Sequence, residues 1–216
     1  MKLAVFDCDG TLVDGQASIC EAMEAAFAAH GLKAPDRTSI RRAVGLSLPI
    51  AMRTLLPGRD EGLHHALADS YKQAFRTART EGRVSQPLFD DISETLQRLH
   101  DAGWTLGVAT GMSDRGLNHC LAANGIADLF VTLQTADRHP SKPHPAMLEA
   151  ALFESGAQPD EAVMIGDTAY DMQMARDAGV RAIGVDWGYH HPHELIAAGA
   201  EAVVETPLAL AERLLA

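Results

Sequence analysis

Cysteine is scarce in this chain. Cys8, Cys20 and Cys120 are the only three, an odd number at wide spacing. They form neither a disulfide framework nor a paired-cysteine metal site, a usage that fits a reducing cytosol. Basic runs are missing too. The formal net charge is −11 and no Lys/Arg-rich stretch occurs, which argues against a nucleic-acid surface. No apolar run is long enough to span a membrane. The first, Leu3-Ala4-Val5-Phe6, meets Asp7 at once and is too short for a signal peptide. There is no internal repeat, coiled coil or low-complexity segment. No exposed apolar stripe stands apart from core positions, so the sequence names no subunit partner. These absences leave a cytoplasmic globular protein without nucleic-acid or membrane partners. The 216 residues, 47% hydrophobic and 22% charged, suffice for one core plus an insert.

The pattern along the chain changes character twice. Lys2 to Phe6 reads as a buried strand, apolar on both faces and ended by Asp7-Cys8-Asp9-Gly10. From about Asp14 to Gly82 the helical period dominates. Helices are expected at Ala17–His30, Thr38–Val44, Leu48–Leu56 and Leu63–Thr80, punctuated by Gly31, Pro35, Gly45, Pro57 and Gly58. After Pro87 helices and strands alternate. Strands are expected at Trp104–Ala109, Leu129–Leu133, Ala162–Ile165, Ala182–Val185 and Ala202–Val204. Helices are expected at Asp91–Ala102, at Ser113–Asn124 with Ser113 as cap, and at Pro145–Ser155 and Asp171–Ala178. Two more follow, at His193–Ala197 and Leu208–Leu215. Such alternation implies βαβ units and a parallel sheet covered on both faces. The expected fold is α/β, with a core of residues 1–13 and 83–216 and a small all-helical insert over 14–82.

Four polar signals sit at or just after the ends of apolar runs, where a parallel sheet gathers them along one edge. Asp7-x-Asp9-Gly10-Thr11 leaves the first strand into a glycine turn. Two carboxylates this close repel unless a cation lies near. Magnesium suits them, as a hard ion that takes carboxylates, waters and phosphate oxygens. One carboxylate can also attack phosphorus, while its neighbour handles the proton. Thr110-Gly111 offers a hydroxyl and backbone N–H groups before a helix, a small anion cradle. Lys142 lies in a loop stiffened by Pro140, Pro143 and Pro145, which places one ammonium at low entropic cost. Gly166-Asp167 ends another strand, and Asp171 falls in the next helix's first turn. Asp167 is placed as a metal ligand; Asp171 can orient the metal's waters or Lys142.

The order and spacing of these four motifs resemble the haloacid dehalogenase-like hydrolase superfamily. The helical insert after the first motif looks like that superfamily's C1-type cap. Phe6 to Asp14 and Ser141-Lys142-Pro143-His144-Pro145 look most like its phosphoglycolate-phosphatase-like branch. The resemblance implies a Rossmann-like core and a mobile cap. It implies Asp7 as nucleophile, Asp9 as general acid/base, and Thr110, Gly111 and Lys142 as phosphate ligands. It also implies magnesium held by Asp7, the backbone carbonyl of Asp9 and Asp167, with Asp171 in support. Dehalogenases of the superfamily lack the acid two residues after the nucleophile and need no metal. Asp9 therefore points to a phosphatase. Gly15, where many relatives carry Ser, is one departure.

The implied activity is magnesium-dependent hydrolysis of a small phosphomonoester, with 2-phosphoglycolate as the substrate the resemblance favours. A β-phosphoglucomutase-like phosphotransferase would use the same core residues. A non-catalytic phosphate-binding protein would lack one of the motif aspartates, and none is lacking. Arg41, Arg42, Gly45 and Arg53 lie where a cap reaches an active site, and Arg41 or Arg42, with Arg42 the one tested first, is the candidate partner for a substrate carboxylate. His190-His191-Pro192-His193 has no cysteine nearby and too few ligands for zinc, so it reads as a loop following a strand.

Overall fold

The computed structural model describes residues 2–216. Its centre is a six-stranded sheet in the order β3-β2-β1-β4-β5-β6, every neighbouring pair parallel. The strands are β1 (Leu3–Phe6), β2 (Thr105–Thr110), β3 (Phe130–Thr135), β4 (Ala162–Gly166), β5 (Arg181–Val185) and β6 (Ala202–Val204). This is the expected fold class.

Strand β1 shows how the sequence builds two cores at once. Its four residues are all buried. Side chains alternate between the faces of a strand. Ala4 and Phe6 therefore join one apolar cluster, and Leu3 and Val5 the other. The first cluster takes Leu96 and Leu99 from α5 (Ile92–Asp101), Leu117 and Leu121 from α6 (Asp114–Ala123), and Leu210 and Leu214 from α10 (Pro207–Leu215). The second takes Met147, Leu148 and Leu152 from α7 (Ala146–Ser155), Met172 from α8 (Ala169–Asp177) and Leu195 from α9 (Pro192–Ala198). Helices on both faces explain why the strands read as continuous apolar runs.

Between β1 and α5 the chain forms α1 (Gln16–Ala29), α2 (Arg37–Arg42), α3 (Leu48–Leu55) and α4 (Glu61–Thr80). These helices pack around their own cluster, with Ile19, Met23, Phe27, Ile40, Met52 and Leu67 buried in it. Asp36 and Asp60 cap α2 and α4 by accepting hydrogen bonds from the Ser39 and Leu63 amides.

Several element boundaries differ from the sequence expectation by one or two residues, and two of these differences have a clear physical reason. Strand β3 continues past Leu133 through Gln134 and Thr135, both polar and both buried. The Gln134 amide donates to Thr132 Oγ1 at 2.7 Å and to Glu154 at 2.7 Å, so the strand continues with its polar groups satisfied. Helix α8 starts at Ala169 instead of Asp171. Thr168 caps it, and Asp171 closes a capping box by accepting from the Thr168 amide at 3.1 Å.

The sheet's register decides where the motifs meet. Phe6 pairs with Val108 on one side and Ile165 on the other. The residues that follow those three positions therefore emerge together at the carboxyl edge, where β1 lies between β2 and β4. That is the point where strand order reverses, and open α/β sheets bind ligands there.

Candidate active site

Asp7 leaves β1 fully buried, at 1% exposure. Its Oδ1 accepts from the Cys8 amide at 2.7 Å and from Lys142 Nζ at 2.9 Å. Its Oδ2 is buried and has no hydrogen-bond partner. A buried carboxylate oxygen without a partner is costly and signals an absent ligand. Burial raises the Asp7 pKa to about 6, although Lys142 pulls against it.

Lys142 is buried to 1% exposure, and its ammonium also donates to Asp171 Oδ1 at 2.6 Å. Burial opposes its charge, but Asp171 and Asp7 outweigh burial and hold its pKa above that of an ordinary lysine. Asp171 spends its other oxygen on Thr168, accepting from the backbone N–H at 3.1 Å and from Oγ1 at 2.7 Å. Both its oxygens are thus engaged, one of them with the Lys142 ammonium.

Asp167 ends β4 with no exposed surface. Thr11 Oγ1 donates to its Oδ1 at 2.8 Å, and the Tyr189 amide donates to its Oδ2 at 2.9 Å. Burial, then the charges of Asp7 and Asp171, push its pKa well above the carboxylate range. Oxygens of Asp7, Asp167 and Asp171 lie within 4.8 Å of one another, the one such metal-ligand grouping among the described residues. Three close carboxylates, one with an unpartnered oxygen, fit a hard divalent cation. Glycines make room for the cluster. A Cβ on Gly10, whose φ is +94°, would collide with Asp167 Oδ2, and one on Gly188 would collide with the Asp167 Cβ.

Asp9 takes a different position. It lines the cavity above Asp7 and is not part of the metal-ligand grouping. Gln86 Nε2 donates to its Oδ1 at 3.2 Å. Burial, then the charge of Asp7, raises its pKa to about 7, against the Gln86 hydrogen bond. A carboxyl poised there can give and take a proton near neutrality. A Cβ on Gly15 would stand 2.7 Å from Asp9 Oδ1, so the glycine at this departure from the family leaves space for the Asp9–Gln86 contact. Thr110, at the end of β2, and Gly111 line the same cavity beside Asp7 and Asp9.

The helical insert closes over this edge. A Cβ on Gly111 would meet the Gly45 and Leu46 carbonyl oxygens at 2.7 Å, so the backbones touch there. The Ser47 amide donates to Ser141 Oγ at 2.8 Å, and Tyr170 Oη donates to the Arg42 carbonyl at 3.3 Å.

Gly45 lines the cavity, as expected. The cap arginines go elsewhere. Arg41 donates to Gln16 Oε1 and Thr38 Oγ1, and Arg53 pairs with Glu61. Arg42 also differs from expectation. Its guanidinium grips Glu194 in a bidentate pair at 3.0 and 2.5 Å, and it is not on the cavity wall. Bidentate geometry commits both donor edges to that carboxylate. Arg42→Gln is therefore expected to cost about 0.2–1 kcal/mol of stability, as partly exposed pairs do, and to change KM for an acidic phosphoester less than about twofold. Thermal melts and steady-state kinetics check both. A tenfold rise in KM for the acidic ester alone would return Arg42 to the substrate.

His190 is buried. Its Nδ1 accepts from the Ala169 amide at 3.2 Å, and its Nε2 faces the Arg42 carbonyl at 3.1 Å. Nε2 serves the contact between insert and core, and Nδ1 ties the loop after β5 to the start of α8.

Sequence reasoning missed Gln86, Thr168 and a row on α4. Thr168 carries a sequence signal, a Thr three residues before an Asp at a helix start. Gln86 carries none, because it meets Asp9 only where the chain returns from the insert. On α4, Tyr71, Lys72, Phe75, Arg76 and Arg79 all line the cavity. Their three- and four-residue spacing was legible as one helix face.

Residues 4–185 match the sequence pattern of the family described as haloacid dehalogenase-like hydrolase. A Dickeya dadantii protein named "Probable phosphatase IndB" is 36% identical over 208 residues, spanning 94% of this chain and 89% of that one. The phosphoglycolate phosphatase of Vibrio vulnificus is 29% identical over 212 residues, spanning 95% and 92%. A solved hydrolase from Pseudomonas syringae superposes with a TM-score of 0.86 at 26% identity, covering 99% of this chain and 98% of its own. A match over most of the length has one reading: the chain belongs to the haloacid dehalogenase-like hydrolases, as a phosphatase of that family.

Proposed function

We propose that the protein hydrolyses a small phosphomonoester in a magnesium-dependent reaction through an aspartyl-phosphate. The observation that carries this reading is Asp7. One oxygen is fixed by Cys8 and Lys142, and the other is buried without a partner. That second oxygen is the free nucleophile edge or the free ligand edge that the chemistry needs.

Asp7 and Asp167, with the backbone carbonyl of Asp9, would hold the metal, and Asp171 would support them through Lys142. Bound magnesium supplies positive charge against the phosphoryl oxygens. In the first step an Asp7 carboxylate oxygen forms a bond to phosphorus as the ester P–O bond breaks. Asp9, protonated at a pKa of about 7, gives its proton to the departing alkoxide. In the second step Asp9, now a carboxylate, takes a proton from water, whose oxygen attacks phosphorus. Inorganic phosphate leaves and the Asp7 carboxylate returns. Lys142 screens Asp7 from Asp171 throughout, and with Thr110 and Gly111 it offsets charge on the phosphoryl oxygens. The insert over the cavity excludes bulk water during the first step.

Homologues named phosphoglycolate phosphatase support 2-phosphoglycolate as the first substrate to test. Phosphate release from a phosphoester panel, with magnesium and with EDTA, is the experiment. Turnover that requires the metal is the expected result. Metal-independent turnover would overturn the magnesium reading. Isomerisation of glucose 1-phosphate without free phosphate would overturn hydrolysis in favour of transfer.

A further inference from the structure

The cavity over Asp7 and Asp9 holds about 510 Å³, far more room than a two-carbon leaving group fills. Much of its wall is apolar, with Ile19, Met23, Ile40, Val44, Leu48 and Phe75 among the lining residues. Such a wall gains nothing from a small charged acid and favours an apolar or aromatic body.

Cations concentrate at one side of that wall. Lys72, Arg76 and Arg79 come from α4, and Arg115 comes from the first turn of α6. Lys72 pairs with Asp69 at 3.7 Å. Among the described residues, no carboxylate comes within ion-pair distance of Arg76, Arg79 or Arg115. Asp114, next to Arg115, is taken by Arg138 at 3.1 Å. Asp137, which lines the cavity, accepts from the Asp114 amide at 2.9 Å.

Arg79 is the most constrained of the three. Its guanidinium lies 5.3 Å over the Phe75 ring, and its Nε is buried with no hydrogen-bond partner. A buried guanidinium donor without an acceptor is costly, and the cost vanishes when an anion arrives. Burial first, then the neighbouring charge of Arg115, weakens the hold of Arg79 on its proton. Two guanidinium groups thus face the same space with no anion between them.

The row also connects to the catalytic end. Tyr71, Phe75 and Arg79 are successive fourth residues on α4, and the Tyr71 and Phe75 rings are 5.8 Å apart. Asp9 at one end and Arg79 at the other act on the Tyr71 phenol in opposite directions. A path therefore runs from the general acid, along two aromatic rings, to the unpaired arginines.

We infer that Arg79 and Arg115 form a second anion subsite that selects phosphomonoesters whose leaving group carries an apolar or aromatic body ending in a further carboxylate or phosphate. The inference rests on the phosphatase reading. In such a complex Asp7 meets the transferred phosphoryl group, the aromatic stripe flanks the body, and the bidentate donors of Arg79 take the distal anion.

Steady-state kinetics on 4-carboxyphenyl phosphate, p-nitrophenyl phosphate and 2-phosphoglycolate test it. The two aryl esters share a ring and differ in the distal charge. Wild type is expected to prefer 4-carboxyphenyl phosphate at least tenfold in kcat/KM over each of the others. Arg79→Gln and Arg115→Gln, each measured separately, are expected to lower the carboxylated-to-nitro ratio by about tenfold, mainly through KM. Arg59→Gln, an exposed cap arginine off the cavity, is expected to keep the wild-type ratio. Because Arg115 is exposed, its variant still tests the subsite should Arg79→Gln fail to fold. An unchanged ratio in the folded variants, or a wild type without preference for the carboxylated ring, overturns the subsite. Absence of turnover on all three esters overturns instead the phosphatase reading beneath it.

Discussion

Asp7→Asn is expected to lower kcat by about 10³-fold or more on every phosphoester, with no phosphoryl group left on the protein. The substitution is nearly isosteric. Its carbonyl oxygen still accepts from the Cys8 amide and from Lys142, the two contacts that fix Asp7 in place. Lys142 keeps Asp171 as its counter-charge at 2.6 Å. The fold therefore persists while the unpartnered oxygen, the nucleophile of the proposed mechanism, becomes an amide nitrogen. Phosphate release, together with intact mass after brief substrate exposure, reads both parts. Wild type should gain the mass of one phosphoryl group transiently, and the variant should not. A variant that kept a tenth of the wild-type rate would show that water attacks phosphorus directly, and the covalent mechanism would fall.

The second large effect is on stability. Without metal, the protein is expected to melt at a higher temperature at pH 5 than at pH 8. Asp7, Asp9 and Asp167 are buried, and in the fold their pKa values lie above the unfolded value of 3.8, at about 6, about 7 and well above the ordinary range. An acid with a raised pKa binds more protons folded than unfolded. Its contribution to stability is complete below about pH 4 and is lost as pH rises through 6 to 7. For Asp9 alone the span is about 3 pKa units, on the order of 4 kcal/mol.

In the proposed mechanism magnesium acts on the same groups from the opposite side. A cation that binds only the folded carboxylates stabilises by mass action, and it needs them ionised. Millimolar MgCl₂ should therefore raise the melting temperature by several degrees at pH 8 and little at pH 5. The chain's charge of −11 also opposes compactness at high pH, so a control must separate the two causes. Asp167→Asn removes one buried charge from the site. It should flatten the metal-free slope with pH and abolish the magnesium shift. Equal slopes in variant and wild type would assign the pH effect to surface charge and remove the site from the account.

Much of this protein was legible before any coordinates. Leu3 to Phe6 is apolar without interruption and ends on a carboxylate, which only a strand covered on both faces explains. The helical period over 14–82 and the strand–helix alternation beyond it specify the fold class, because periodicity is a local property of the chain. The four motifs at strand ends were readable for a related reason. Parallel strands must deliver their carboxyl ends to one edge, so Asp7, Thr110 and Asp167 converge whatever else the fold does.

The tertiary structure decided which partner each side chain takes. Arg42 looked free to read a substrate and instead clasps Glu194, more than 150 positions away along the chain. Arg79 carried no signal in the sequence and stands over Phe75 on the cavity wall, its Nε unpaired. These outcomes depend on how the insert docks on the sheet edge, through contacts such as Gly45 on Gly111 and Ser47 on Ser141. Docking is a choice among long-range pairings, and no local pattern in the chain encodes it. Helix and strand follow from neighbours in sequence, whereas the identity of the residue that completes an ion pair or lines a cavity follows from neighbours in space.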